Sequence, residues 1–381
     1  MDDGNGIARK VRIVFMNDSC TANPAEVEES TKSPAAWLHE FVPPPFAPNR
    51  WLRGGHLQTL IGPKERKRFP LDGAVYQRHR IDLADDGDAM AIHDDAPSNW
   101  DPKRGSVLII HGICGCHAAG YMVRFQHRLN AIGIRTFRLD MRGCGDSSPM
   151  CGSITHAGRS EDVLSAIEFI GDLIDDPSSP IGGVGVSLGG NQWLLAAGRV
   201  GNGFHDQPRA WPRVGPILAI APPLDLQACS DAMQSPKLSF YNRYFIHHLL
   251  RRASPMLRQN PVYQNALSQP KPKTLRQFDR TITAPLGGFD SEVHYYEESS
   301  AVKVIDDIKV PTMVVTSADD PLVPIESFAS LNPSHSAQPE QFPRVRLLVT
   351  PTGGHHGFLQ RDRTSWSDEL VTAFFNKAIQ R

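Results

Sequence analysis

Gly185-Val186-Ser187-Leu188-Gly189 reads G-x-S-x-G, with the apolar run Ile181 to Val186 before it and Gly190-Asn191-Gln192-Trp193-Leu194-Leu195 after it. This stretch constrains the chain more than any other. A strand that stops at a serine and turns straight into a helix forces the serine hydroxyl out of the corner, the geometry of a nucleophile elbow. Small residues are required on both sides, because strand and helix backbones meet closely and the serine itself takes a strained backbone conformation. The first turn of the helix leaves backbone N–H groups unpaired, and that of Leu188 is placed to stabilise a developing oxyanion.

The elbow sits in a repeating pattern of short apolar runs and amphipathic stretches. Ser106 to Ile110, Arg135 to Leu139, Ile181 to Val186, Gly215 to Ala221, Thr312 to Thr316 and Val345 to Thr350 have the composition of strands buried on both faces. Helices are predicted between and after them at Ala118 to Ala131, Arg159 to Ile174, Leu188 to Ala197 and Ser365 to Ile379. Strand and helix in alternation imply a mainly parallel sheet covered on both sides, with ligands at the carboxyl ends of the strands. Upstream, Ala74 to Leu83 and Ala89 to His93 alternate like an antiparallel edge, with Asp85-Asp86-Gly87-Asp88 as the turn.

The first 35 residues read as a loosely held tail, and residues 36–381 as the folded domain. Pro43 to Pro48 is an extended proline-rich stretch that leads into an arm, Asn49 to Leu60, expected to pack on the domain edge. From about 222 to 308 the strand rhythm stops, and the interval reads as a helical cap inserted over the site. Phe240, Tyr244, Phe245, His248 and Leu249 fall on one helical face there, suited to an apolar acyl or alkyl group or to docking the cap on the core.

A serine needs a base, and the base needs a group that fixes its tautomer, on loops after later strands in the order Ser, Asp, His. Val315 to Pro324 carries Asp319 and Asp320 just past one strand. Asp320, directly before the x-hydrophobic-hydrophobic-Pro segment, is the candidate acid, and Asp319 a turn residue. Thr350 to Phe358 carries His355 and His356 past the next strand. His355 is the candidate base, since Gly353-Gly354 lets the backbone swing it toward Ser187, and His356 is the fallback. The turn at Ile109-Ile110-His111-Gly112-Ile113 offers the Ile113 N–H as the second oxyanion donor, with His111 structural, and Leu139 to Ser147 reads as a brace.

Taken together these residues resemble the α/β-hydrolase superfamily, and within it the YheT-like branch (AB hydrolase type 4). The arm R-W-L-R-G-G-H-L-Q-T, the H-G-I turn, D-M-R-G-C-G, G-V-S-L-G-G-N, A-D-D-P and G-G-H-H-G-F carry the resemblance from about residue 40 onward, with Phe278-Asp279, Gly288-Phe289 and Tyr295-Tyr296. The resemblance implies an α/β-hydrolase fold with an eight-stranded, mostly parallel sheet, a triad of Ser187, Asp320 and His355, and hydrolysis of carboxylic esters. Some relatives carry a His/Asp pair linked to acyl transfer where Thr155-His156 and Asp162 stand, read here as structural. Eukaryotic relatives carry an N-terminal membrane anchor, which this sequence does not show.

Composition bounds what remains. Lys+Arg 40 against Asp+Glu 41 gives a net charge of -1 over 381 residues, which argues against nucleic acid as a partner. Lys64 to Arg68 is a short basic run, read as a solvated loop. No stretch reaches the ~20 apolar residues of a transmembrane helix, no signal sequence is evident, and a cytoplasmic location is expected. The six cysteines (Cys20, Cys114, Cys116, Cys144, Cys151, Cys229) lack paired zinc-site spacing and are expected as reduced thiols. The expectation is a serine esterase without metal or organic cofactor, acting on a small ester with an apolar part. Acyl transfer and a non-catalytic binding protein of the same fold are the competing readings.

Overall fold

The computed structural model describes residues 35–52, 54–62, 75–84, 87–331 and 344–379. The tail before residue 35, Cys20, the Lys64 to Arg68 run and Asp85-Asp86 of the edge turn lie outside the described residues.

Two short helices, α1 (Ala36–Glu40) and α2 (Gly55–Ile61), precede an antiparallel pair, β1 (Val75–Asp82) and β2 (Ala89–Ala96). Then come β3 (Ser106–Ile110), α3 (Gly120–Ala131), β4 (Arg135–Leu139), α4 (Ser160–Leu173), β5 (Ile181–Val186), α5 (Leu188–Gly201) and β6 (Val214–Ile220). Between β6 and the next strand lie α6 (Leu226–Ala232), α7 (Ser239–Arg251), α8 (Pro255–Gln259), α9 (Pro261–Ser268), α10 (Leu275–Phe278), α11 (Ala284–Gly287) and α12 (Glu292–Ser299). The chain closes with β7 (Thr312–Ser317), β8 (Val345–Thr350) and α13 (Trp366–Ile379).

The strands form one eight-stranded sheet in the order β1-β2-β4-β3-β5-β6-β7-β8. β2 pairs antiparallel with both β1 and β4, and the other neighbours are parallel. The mostly parallel, helix-flanked sheet expected from the apolar runs is therefore present. β3 and β5 are buried along their whole length, which is why they read as continuous apolar runs rather than as alternating ones. Their side chains divide between two cores. Leu108, Ile110 and Ile181 pack with Val163 and Ile167 of α4 and Trp193 of α5 on one face; Val107, Ile109, Val184 and Val186 pack with Phe125 of α3 and Trp366 and Phe374 of α13 on the other. Burying a large apolar side chain contributes about 1.5–3 kcal/mol, so these two layers clamp β5 and fix where its last residue ends.

α7 corrects the sequence reading of its apolar face. Phe245 and Leu249 face inward to a cavity, but Phe240 and Tyr244 are exposed, and Tyr241, Asn242 and Ile246 form the buried side. The helix is rotated by about one position because Asn242 is drawn in by bonds to the Met233 carbonyl and the Leu275 N–H. No helix among the described residues is long and apolar enough to cross a membrane.

Candidate active site

Ser187 stands between β5 and α5 with φ 52° and ψ -119°, left-handed territory that costs a non-glycine residue about 1–3 kcal/mol. The surroundings hold it there. Its N–H donates to the Ile220 carbonyl of β6, and its own carbonyl accepts from the Gly190 and Asn191 N–H groups. Gly189 admits no side chain, because a Cβ would sit 2.5 Å from the Ile110 carbonyl oxygen and 2.6 Å from that of His111. That close approach brings the end of β3, and the loop after it, against the elbow.

His355 and Asp320 come from the loops after β8 and β7. His355 Nε2 is 2.8 Å from Ser187 Oγ, and His355 Nδ1 is 2.8 Å from Asp320 Oδ2. The Asp320 side chain is fully buried, and its other oxygen accepts the Leu322 and Val323 N–H groups at 2.8 and 3.1 Å. Such a carboxylate is fixed in orientation and aims one oxygen at the imidazole. A hydroxyl against an imidazole whose far nitrogen meets a buried carboxylate can pass its proton to the ring as it attacks an electrophile.

The neighbouring acid and histidine are elsewhere. Asp319 Oδ1 accepts from Ser317 Oγ at 3.0 Å and from the Gly354 N–H at 2.9 Å, so Asp319 ties the two loops together. His356, at φ 50°, turns toward Tyr121 and is pushed by burial, with help from the His355 charge, down to a pKa of about 3.

The loop after β3 is held beside the elbow. His111 Nδ1–H donates to the Gly112 carbonyl at 2.8 Å and its Nε2 accepts the Met141 N–H at 3.2 Å, an assignment the two partners fix. Burial keeps this ring neutral by lowering its pKa. The Gly112 N–H donates to the Tyr121 hydroxyl. The Ile113 and Leu188 N–H groups donate to no acceptor among the described residues, and both residues line the cavity that holds Ser187 and His355. Of the candidate residues, the structure thus brings Ser187, His355 and Asp320 into one hydrogen-bonded line and sets Ile113 and Leu188 beside it.

The cavity encloses about 200 Å³. Its walls are mostly apolar, from Leu226, Met233, Phe245, Leu249, Leu257 and Phe278 of the β6–β7 interval and Leu322 and Val323 after β7. Cys114, Cys144 and Cys229 also line it, and burial raises all three thiols above their usual range, Cys114 to about 11. The described cysteines are free thiols. His156 and Asp162 do not pair: Asp162 accepts from Arg142 Nε at 2.8 Å, while His156 Nδ1 accepts the Gly158 N–H at 3.2 Å.

The arm has a larger part than its sequence suggested. Thr59 Oγ1, on α2, accepts the His355 N–H at 2.8 Å and donates to the Gly55 carbonyl at 2.7 Å; Gln58 Oε1 accepts the Leu359 N–H at 2.7 Å. Gly354, at φ 59°, is pressed so closely on α2 that a Cβ would run into the Gly55 carbonyl oxygen and sit 2.7 Å from Thr59 Oγ1. α2 is therefore a buttress for the His355 loop. The signal lay in the spacing of Gly55 and Thr59, four apart on one helical face, but no rule of local sequence says which loop such a face meets.

A family model for the alpha/beta hydrolase fold matches residues 105–362. The chain belongs to the alpha/beta hydrolase fold family. It is 26% identical over 317 residues to the putative esterase YheT of Escherichia coli (strain K12), covering 82% of this chain and 87% of that protein. To the human phospholipase ABHD3 it is 25% identical over 346 residues, 88% of this chain and 79% of that one. These similarities agree with the YheT-like branch. Among solved structures, an esterase of Pyrococcus furiosus superposes with a TM-score of 0.50 at 16% identity, over 80% of this chain and 94% of that chain, a likeness of fold.

Proposed function

We propose that this protein is a serine hydrolase that cleaves small carboxylic esters with an apolar acyl or alkyl part. The observation that carries the reading is the line from Ser187 Oγ through His355 to Asp320, two contacts of 2.8 Å at the floor of an apolar cavity. The names of similar proteins, a putative esterase and a phospholipase, support the ester class.

In the first half-reaction Ser187 Oγ attacks the ester carbonyl carbon while His355 Nε2 takes its proton, and Asp320 stabilises the imidazolium through Nδ1–H. The negative oxygen of the tetrahedral intermediate accepts the Ile113 and Leu188 N–H groups, each worth about 3 kcal/mol of transition-state stabilisation. His355 returns the proton to the leaving alkoxide, and the alcohol departs. In the second half, water gives its proton to His355 and attacks the acyl-enzyme, releasing the acid and restoring Ser187. The interval from β6 to β7 acts as a cap whose apolar walls exclude bulk water and accept the substrate chain. Asn191, on the elbow helix, secures the end of this cap: Nδ2 donates to the Ser299 carbonyl at 2.8 Å and Oδ1 accepts the Ala301 N–H at 3.1 Å.

The test is hydrolysis of a series of p-nitrophenyl esters from acetate to dodecanoate by wild type and Ser187→Ala. The reading expects turnover that rises with chain length until the cavity is filled, and none above background in the variant. Equal rates in the two proteins would overturn it.

A further inference from the structure

One strand away from the oxyanion loop, a second cluster of ionisable groups takes no part in this chemistry. Asp140 follows β4 and is fully buried, yet no Lys or Arg pairs with it among the described residues. The ionisable side chains nearest its carboxylate are imidazoles: His117 Nδ1 at 2.7 Å, His93 Nε2 at 3.3 Å and His111 Nε2 at 4.0 Å. A buried carboxylate without a Lys or Arg depends on the hydrogen bonds aimed at it.

The donors are also crowded. His117 Nδ1, His93 Nε2 and the Asp146 N–H at 2.8 Å all converge on the one oxygen Oδ2, while Oδ1 takes the His117 N–H at 2.6 Å. Three donors meet an atom with two lone pairs. The two imidazole rings lie face to face with centroids 3.5 Å apart and planes 18° from parallel, so one ring swings aside for both nitrogen lone pairs to reach a single point. The ligating atoms of His93, His117 and Asp140 all lie within 4.8 Å of one another, and Asp146 Oδ2, 3.7 Å from His93 Nε2, accepts from Arg78 Nη1 at 2.9 Å.

We propose that His93, His117 and Asp140 form a site for one divalent transition-metal ion with the coordination habits of zinc, and that Asp146 completes it as a fourth ligand on leaving Arg78. Bonds of about 2.0–2.2 Å in a tetrahedron set ligand atoms about 3.3 Å apart. The 3.3 and 3.7 Å separations are already near that value, and the 2.7 Å one opens by roughly 0.6 Å. Each imidazole ligates through one nitrogen with its proton on the other, and any second proton leaves to solvent: His93 Nδ1–H then faces the Tyr76 hydroxyl oxygen, and His117 Nε2–H lies on a partly exposed ring. Two carboxylates offset the two positive charges. The ion would fasten the loop that carries His117, and with it Ile113, to β2 and β4.

The test is metal uptake by the chelator-treated full chain, with Co²⁺ as the spectroscopic probe and Zn²⁺ retention read by elemental analysis. We expect one ion per chain, ligand-field bands of a tetrahedral N/O site, and a thermal midpoint that rises with added metal. His117→Ala and the surface variant Asp146→Asn should weaken uptake by roughly a hundredfold and tenfold, while Cys114→Ser/Cys116→Ser should retain it. Circular dichroism establishes that each variant is folded, and Asp146, partly exposed, removes little packing. No stoichiometric uptake by wild type, unchanged uptake in both His117→Ala and Asp146→Asn, or sulfur-to-cobalt charge-transfer bands that vanish in the cysteine variant would each overturn the proposal.

Discussion

Thr59→Val keeps the shape of a side chain that touches no substrate and removes one oxygen, the acceptor of the His355 N–H at 2.8 Å. Thr59 and His355 are both buried, so water does not replace the lost partner. Leaving a buried N–H unpaired costs about 1–3 kcal/mol. The His355 loop keeps its other ties, the Gly354 N–H to Asp319 Oδ1 at 2.9 Å and Ser317 Oγ to the Gly354 carbonyl at 2.9 Å, so it loosens rather than detaches. A displacement of well under 1 Å at the imidazole then costs about 10- to 100-fold in rate. We expect kcat for a chromogenic ester to fall by that factor with KM little changed, because the cavity walls are untouched. The thermal midpoint should drop by a few degrees. Thr59→Ser, which keeps the hydroxyl, should restore most of kcat. A Thr59→Val protein with wild-type kcat, or a Thr59→Ser protein as impaired as Thr59→Val, would refute the buttress role of α2.

Other consequences can be measured in the same preparations. Asp320→Asn keeps an oxygen for the Leu322 and Val323 N–H groups but turns an amide toward His355 and favours the wrong tautomer; kcat should fall on the order of 10⁴-fold while the protein stays folded. A variant within tenfold of wild type would contradict that role. Gly189→Ala drives a Cβ into two backbone carbonyl oxygens and should collapse the yield of folded protein, and a soluble variant with a native melting curve would count against the elbow packing. Asp279 lines the cavity, and burial pushes its carboxyl from 3.8 up to about 6. The folded chain thus holds that proton more tightly than the unfolded one. Its contribution favours folding in acid and is lost as pH rises from about 4 through about 6, by at most about 3 kcal/mol. Urea unfolding of wild type and Asp279→Asn at pH 4.5 and 7.5 should therefore show the variant gaining relative stability at the higher pH, whereas a pH-independent difference would refute the assignment.

Much of this arrangement is legible in the sequence because it rests on local chemistry. The buried runs of β3, β5 and β7 need two covering layers, and the glycines around Ser187 need a turn no other residues allow. The choice of Asp320 over Asp319 and of His355 over His356 rests on local pattern too, the x-hydrophobic-hydrophobic-Pro segment after Asp320 and the Gly353-Gly354 hinge before His355. What local sequence does not carry is which distant surface a face meets. The docking of α2 on the His355 loop joins residues nearly 300 positions apart, as the Thr59 to His355 bond illustrates. The convergence of His93 from β2, His117 from the β3 loop and Asp140 after β4 likewise depends on a sheet order that runs β2-β4-β3. The rotation of α7, set by the bonds of Asn242, is a third case in which tertiary partners overrule a helical stripe.

The most direct test of the central claim is reaction of the folded wild-type protein with a fluorophosphonate, read by intact mass and peptide mapping. Such a probe bonds to a serine only where a base has activated it. The account predicts a single adduct on Ser187 that is absent in Ser187→Ala and strongly reduced in His355→Ala. An unlabelled wild type, or an adduct on any other residue, would contradict it.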